Sequence, residues 1–230
     1  MVALKQGEDY ALTPPKPPKP PKAGDYDARL RAYQLWKQTQ NAEGTIVETY
    51  LQNRGYFGII PKDLRFHPSL YHTSSKAFFP AMVAKVTRSH DNMLLGIHRT
   101  YLAKDGTDKA AITPNKMMLG NVTGGAVQFS EIKGESLIIT EGIETALSVM
   151  LASDVRETIW ACLSASLMDS LLLPPLDKVN QITIAADNDG AGLKAAYECA
   201  EQWQRKGRID KIALPPKGQD FNDMLIEGAL

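Results

Sequence analysis

The sequence predicts an α/β protein, with a parallel sheet and flanking helices in the C-terminal part, preceded by a smaller mixed α+β subdomain of basic character. Three observations carry this expectation. From Ser136 onward, short apolar runs rich in β-branched residues alternate with helical patterns, which is the mark of strand–helix–strand units joined by right-handed crossovers. These runs stop at polar or acidic residues, so Glu141, Ser164, Asp187, Asp189 and the segment holding Asp220 and Asp223 fall beyond the carboxyl ends of strands. Before Ser136 the pattern is hairpin-like instead, and Arg54, Arg65, Lys76, Arg99, Lys104, Lys109 and Lys116 have few acids between them.

The elements follow in chain order. Thr13 to Lys22 is a Pro/Lys tract that takes only an extended, polyproline-type form and reads as a linker. It predicts that another module precedes it; a Pro-rich ligand for a partner's groove is the alternative. Asp25 to Gln40 is a helix on the spacing of Leu30, Tyr33 and Trp36. A second helix starts at Thr45, where Thr45-Ile46-Val47-Glu48 has the form of a capping box, and it stops at Gly55 after Arg54. Leu64 to His67 is a short strand, Phe78–Val86 and Met93–Leu102 pair as a hairpin, and Val122 to Phe129 is a further strand.

In the C-terminal part, Leu137 to Thr140 is a strand, Gly142 to Leu151 a helix and Thr158 to Leu163 a strand. Ile182 to Ala186 is the next strand. Leu193, Ala196, Tyr197, Ala200 and Trp203 mark one face of a helix closed by Gly207. Ile209 to Leu214 is the last strand, and a turn holding Lys217, Asp220 and Asp223 leads into a terminal helix. The expected division is a tail and linker over residues 1–24, the basic subdomain over 25–133 and the parallel-sheet domain over 134–230.

Composition narrows the function only by exclusion. The chain has 230 residues, and its 26 Lys plus Arg equal its 26 Asp plus Glu, so overall charge points to no polyanionic partner. No apolar run of about 18 residues and no signal-peptide pattern is present, so a cytoplasmic protein without membrane attachment is expected. The 4 His and 2 Cys share no ligand spacing, which predicts no structural zinc; Cys162 on a strand and Cys199 on a helix read as buried thiols.

The chemistry concentrates at Asp187-Asn188-Asp189-Gly190. Residues two apart in an extended segment point the same way, so both carboxylates face one point beyond the strand. They repel unless a cation sits between them, and Mg²⁺ (or Mn²⁺) takes one or two carboxylates together with waters and substrate phosphates. A plain strand-to-helix turn is the structural alternative. A dinucleotide fingerprint over Gly190 to Ala195 would set two acids against a pyrophosphate, and an EF-hand loop would have Ala191 at a ligand position. A phosphotransferase Asp-x-Asp nucleophile leaves too little chain after it for its remaining groups.

Glu141-Gly142 at one strand tip, Asp187-Asn188-Asp189-Gly190 at a later one and the Asp-containing turn after the next strand together resemble the Toprim domain. That domain is shared by DnaG-type primases, topoisomerases and certain nucleases. The first half resembles the basic subdomain preceding Toprim in primases, through Tyr50-Leu51-Gln52-Asn53-Arg54-Gly55 and through Phe79-Pro80 leading by a hairpin to Gly96-Ile97-His98-Arg99. Met117-Met118-Leu119-Gly120 with Gly124-Gly125-Ala126-Val127 is similar to versions in phage and plasmid primases, which suggests a mobile-element setting. Neither a zinc-binding module nor a helicase motor with a phosphate-binding loop is visible in the sequence.

The resemblance implies a DNA primase catalytic core: a nucleotidyltransferase that makes RNA primers on single-stranded DNA from nucleoside triphosphates. It implies Asp187, Asp189 and Glu141 as metal ligands, with Glu141 alternatively the general base, and Asp220 and Asp223 as outer or second-metal ligands. Arg54, Arg99, Lys109, Lys116 and Lys217 would meet template or nucleotide phosphates. A replicative helicase or a separate zinc-binding module are the implied partners. The alternatives are a Toprim nuclease using the same acids and a non-catalytic, nucleic-acid-binding accessory protein.

Overall fold

The computed structural model describes residues 23–153, 157–188 and 190–227. The Pro/Lys tract and the carboxylate of Asp189 lie outside them. The helices are α1 (Ala23–Lys37), α2 (Ile46–Asn53), α3 (Ile143–Ala152), α4 (Ala165–Asp169), α5 (Gly190–Gln204) and α6 (Phe221–Ile226). The strands are β1 (Gln40–Asn41), β2 (Leu64–His72), β3 (Ala77–Arg88), β4 (Leu94–Tyr101), β5 (Lys116–Gly120), β6 (Gly125–Gln128), β7 (Ser136–Thr140), β8 (Thr158–Ala161), β9 (Gln181–Ala185) and β10 (Ile209–Ala213).

All ten strands join in one sheet whose main path runs β1-β2-β3-β6-β8-β7-β9-β10, with β4 and β5 branching from β3. The expected alternation holds in the second half, where β8, β7, β9 and β10 are parallel neighbours. Their runs are short and apolar because both faces are covered. On one face Trp160, Ile182 and Ile184 pack with Ala196, Cys199 and Trp203 of α5. On the other, Ile159 and Ala185 belong to a core that includes Leu147 of α3, Tyr50 and Leu51 of α2 and Phe221 of α6. That second core is continuous across both halves of the chain.

The first half is antiparallel. The β3–β4 hairpin pairs Ala81 with Tyr101 through Val86 with Gly96, and β4 in turn pairs with β5. Gly96 stands opposite Gly120 in that register. A Cβ on either glycine would collide with a carbonyl of the facing strand, Leu119 or Leu95 respectively, so two larger residues would not fit there. β6 is the junction: it is antiparallel to β3 at one edge and to β8 at the other.

Several expectations change in detail. Helix α1 forms, but Ala32 is its fully buried residue, with Leu35 and Trp36 packed beside it; Leu30 and Tyr33 are 44% and 50% exposed. The 3.6-residue period admits either stripe, and the facing strands β4 and β5 select Ala32, a small side chain that shares a core cluster with Ile97 and Tyr101. Strand β2 runs five residues past the expected end, through Pro68 and a register shift between His67 and Leu70. Helix α4 and strand β5 are elements that the periodicity did not signal. Both expected thiols are buried and outside any disulfide. No described helix is long and apolar enough to cross a membrane.

Candidate active site

The parallel strands set the first group of side chains. In the β7–β9 pair Thr140 stands opposite Ala185, so the chain beyond brings Glu141 and Asp187 out at the same rim of the sheet. Adjacent strands are about 4.8 Å apart, close enough for two carboxylates to share a cation. Both residues are half-buried. The Glu141 carbonyl accepts the Leu163 amide at 2.7 Å, and the Thr140 hydroxyl donates to the Gly142 carbonyl at 2.8 Å, so the β7 tip is held from two sides. Beyond Asp187, the Asn188 side-chain amide donates to the Pro215 carbonyl at 2.7 Å and ties the β9 tip to the loop after β10. Gly142 is the N-cap of α3, so the positive end of that helix also faces this rim.

The other expected acids have structural duties. Asp220 caps α6 by accepting the Asp223 amide at 2.7 Å, and the Asp223 carboxylate accepts the Asp220 amide at 3.0 Å. Among the described residues no three His, Cys, Asp or Glu side chains close on one metal-sized point. Ser164 caps α4 through the Leu167 amide, and Lys217 is exposed in the loop after β10. A divalent ion nevertheless fits the strand tips. Glu141 and Asp187 offer hard oxygen donors on adjacent strands, half-buried, which is the donor set Mg²⁺ shares with waters and phosphates.

A second polar cluster lies in the first turn of α3, and the sequence reading passed over its centre. Glu144 is only 12% exposed as a side chain, and each of its oxygens meets a lysine at 3.3 Å: Lys109 on one, Lys116 on the other. The Tyr50 hydroxyl of α2 donates to the same carboxylate at 2.7 Å. Arg54, at the C-cap of α2, pairs with Asp108 at 2.8 Å and lies 5.7 Å from the Tyr50 ring centroid. The result is a seam of alternating charge joining α2, the β4–β5 connection, β5 and α3.

Electrostatics follow from this packing. Burial pushes the Glu144 carboxyl up, but Lys116, Lys109 and the Tyr50 hydrogen bond outweigh it and hold the group below the usual carboxylate range. Burial and the Glu144 charge push the Tyr50 hydroxyl up, so it stays a donor. His98 on β4 is pushed down to about 4, first by burial and then by Lys116, so it is neutral at physiological pH. Its Nδ1 is buried and has no hydrogen-bond partner among the described residues.

The structure thus brings Arg54, Lys109 and Lys116 into one seam and Glu141 and Asp187 onto one rim, while Lys217 is exposed in the loop after β10. Arg99 is a correction to its expected place in a groove. It is 8% exposed, and its guanidinium donates to the Met118 carbonyl at 2.9 Å. Its strand is covered on that face, so the side chain turns along the sheet. Glu144 was missed because an acid in the first turn of a helix is explained locally by the helix dipole. Its spacing of three from Glu141 was the available signal, since such a residue stays near the same rim.

Comparison with known proteins agrees with this architecture. Residues 136–229 match the model of the Toprim domain, and residues 26–129 match a Domain of unknown function (DUF7146). No curated protein sequence matches the chain. A DNA primase domain from Pseudomonas aeruginosa is similar in structure, with 13% identity, 87% of this chain and 74% of that chain covered, and a TM-score of 0.57. The zinc-binding and RNA polymerase domains of the Aquifex aeolicus primase match at 15% identity, covering 89% of this chain and 58% of that one, with a TM-score of 0.58. The RNA polymerase domain of Mycobacterium tuberculosis primase DnaG, in complex with double-stranded DNA, matches at 16% identity over 88% and 76%, with a TM-score of 0.51. Residues 136–229 thus match the Toprim domain, and the chain has the fold of DnaG-type primase catalytic cores.

Proposed function

We propose that the protein is a metal-dependent nucleotidyltransferase that synthesises RNA primers on single-stranded DNA. The observation that carries this reading is the juxtaposition of a carboxylate-bearing rim, Glu141 and Asp187 at adjacent parallel strand tips, with a lysine-lined seam beginning one helical turn away at Glu144. A nuclease needs the rim. A polymerase needs in addition a cationic surface for a nucleoside triphosphate and a template, which the seam supplies.

Asp187, with Asp189 and Glu141, would hold Mg²⁺ or Mn²⁺; when bound, the ion neutralises the triphosphate and stabilises attacking and leaving oxygens in an in-line displacement. The chain's own residues do the rest. Glu141, whose backbone carbonyl is held by the Leu163 amide, would be either a further metal ligand or, alternatively, the general base that takes the 3′-hydroxyl proton of the growing primer. Arg54, Lys109 and Lys116 meet phosphates from the seam side, and Lys217 meets them from the loop after β10. Arg99, turned under Met118, supports the sheet that carries Lys116. Asp220 and Asp223 stand as outer ligands, each with the oxygen that its helix-capping bond leaves over. The division into a linker, a basic subdomain over 25–133 and a Toprim unit over 134–230 belongs to this reading, as do a replicative helicase and a zinc-binding module as partners.

The test is incorporation of labelled ribonucleotides on single-stranded DNA with Mg²⁺ or Mn²⁺, comparing the unaltered protein with Asp187→Ala/Asp189→Ala. Metal-dependent products lost in the variant are expected. Shortening of the DNA without added nucleotides would instead favour a Toprim nuclease, and an intact biological role for Asp187→Asn would favour a non-catalytic accessory protein.

A further inference from the structure

We infer that Glu144 is a positioning residue, holding the Lys109 and Lys116 ammonium groups side by side as a two-pronged cradle for the phosphates of a nucleoside triphosphate. The identity of the anion rests on the nucleotidyl-transfer reading; the cradle itself rests on geometry. Each ammonium carries three donors; Lys116 gives one to Glu144 at 3.3 Å, and Lys109 meets the other carboxylate oxygen as an ion pair at 3.3 Å, so at least two donors remain on each. Side-chain exposure orders the layers: 12% for Glu144 beneath, 22% for Lys109 and 40% for Lys116 above it. The remaining donors are therefore the part of the cluster that solvent, or an anion, can reach.

Magnitudes decide whether the lysines would follow a phosphate away from Glu144. An exposed ion pair is worth roughly 0–1 kcal/mol, so a pair on the open surface would change partners freely. Stripping a buried carboxylate of its partners costs about 3–5 kcal/mol, and Tyr50 alone does not replace two ammonium groups. The lysines stay, and the anion comes to them. Three cations (Arg54, Lys109 and Lys116) against two carboxylates (Asp108 and Glu144) leave the seam positive, and neutral His98 does not change that balance. The two lysines come from different parts of the first half, the β4–β5 connection and β5, and Glu144 of the Toprim half meets both.

The sign of one substitution separates positioning from simple charge. Glu144→Gln removes a negative charge beside two lysines, so Coulomb attraction alone predicts tighter binding of an anion. Positioning predicts weaker binding, because two long side chains lose their common anchor and repel each other. The experiment titrates the full chain with inorganic tripolyphosphate and with Mg²⁺-ATP, well below the melting temperature of each variant. Glu144→Gln and Lys109→Ala/Lys116→Ala are both expected to weaken binding about tenfold, the low end of what losing a supporting partner costs an ordered site. Equal or tighter tripolyphosphate binding by Glu144→Gln overturns the assignment. If that variant does not fold, Glu144→Asp keeps the charge but is one methylene short: binding between the two extremes supports the cradle, and binding equal to the unaltered protein overturns it. Should the unaltered protein incorporate no ribonucleotide while tripolyphosphate binding follows the expected order, nucleotidyl transfer fails and the cradle stands. Incorporation with unchanged binding by Glu144→Gln gives the converse.

Discussion

At the rim of the parallel sheet, Glu141 and Asp187 sit beyond the last ladder hydrogen bond, on backbone fixed by the strands behind it. In the seam, Glu144, Lys109, Lys116 and Tyr50 come from four separate elements and are held by one another. The rim groups take their places from the strands behind them. The seam groups are themselves part of what joins α2, β5 and α3, so their chemistry and their structural role are entangled.

The largest expected effect breaks the rim alone. Asp187→Asn should lower ribonucleotide incorporation by about 10³-fold, the scale of losing a principal charge-stabilising group in an active site. Because two neighbouring carboxylates repel without a cation between them, the melting temperature without added metal should stay level or rise. A large drop in melting temperature would mean that the rim is as structural as the seam.

The seam responds in the opposite manner. Lys109→Ala/Lys116→Ala leaves Glu144 buried with the Tyr50 hydroxyl as its hydrogen-bond partner, and should cost about 3 kcal/mol in urea unfolding. A loss under about 1 kcal/mol would class both pairs with exposed ones. Acid should act there too. His98 is held near 4 in the folded chain, below its unfolded value, so its contribution is complete above about 6.5 and fades as pH falls toward 4. The depressed Glu144 carboxyl loses stability in the same direction, further into acid. His98→Asn should therefore flatten the stability profile between about pH 6.5 and 4, with an amplitude of about 3 kcal/mol in the unaltered protein.

The same contrast explains what the sequence made legible. Strand–helix alternation is a local pattern, and the rule that parallel strands present their carboxyl ends to one side located Glu141 and Asp187 before any coordinates. The seam depends on which loop reaches which helix. Lys109 and Lys116 were visible as cations, but their shared partner lies in another half of the chain, and no local period encodes that. Strand β5 is short and partly buried, and its Met117-Met118-Leu119 run is apolar at every position, so the sequence lacks the alternation of a half-buried strand. Helix α4 has five residues, too few for a 3.6-residue period to declare itself. In α1, Leu30 and Tyr33 outweigh Ala32 on any hydrophobic scale, yet packing against β4 and β5, in a cluster with Ile97 and Tyr101, selects the smaller side chain.

The smallest effect tests how far the seam leans on its helix rather than on its ion pairs. Thr45 caps α2 by accepting the Val47 amide at 3.2 Å, and its hydroxyl donates to the Ala42 carbonyl at 2.6 Å. The expected capping box is displaced by one residue: the Glu48 carboxylate takes the Gly44 amide at 2.7 Å rather than that of Thr45. Thr45→Ala thus frees one helix amide while the Glu48 bond persists, and should cost about 1 kcal/mol. Tyr50 lies more than a turn further on and is fully buried, so it should keep its place, and tripolyphosphate binding should not change. Were Thr45→Ala to weaken that binding as much as Glu144→Gln, the position of the lysines would depend on the helix end, and the rim and the seam would no longer differ in kind.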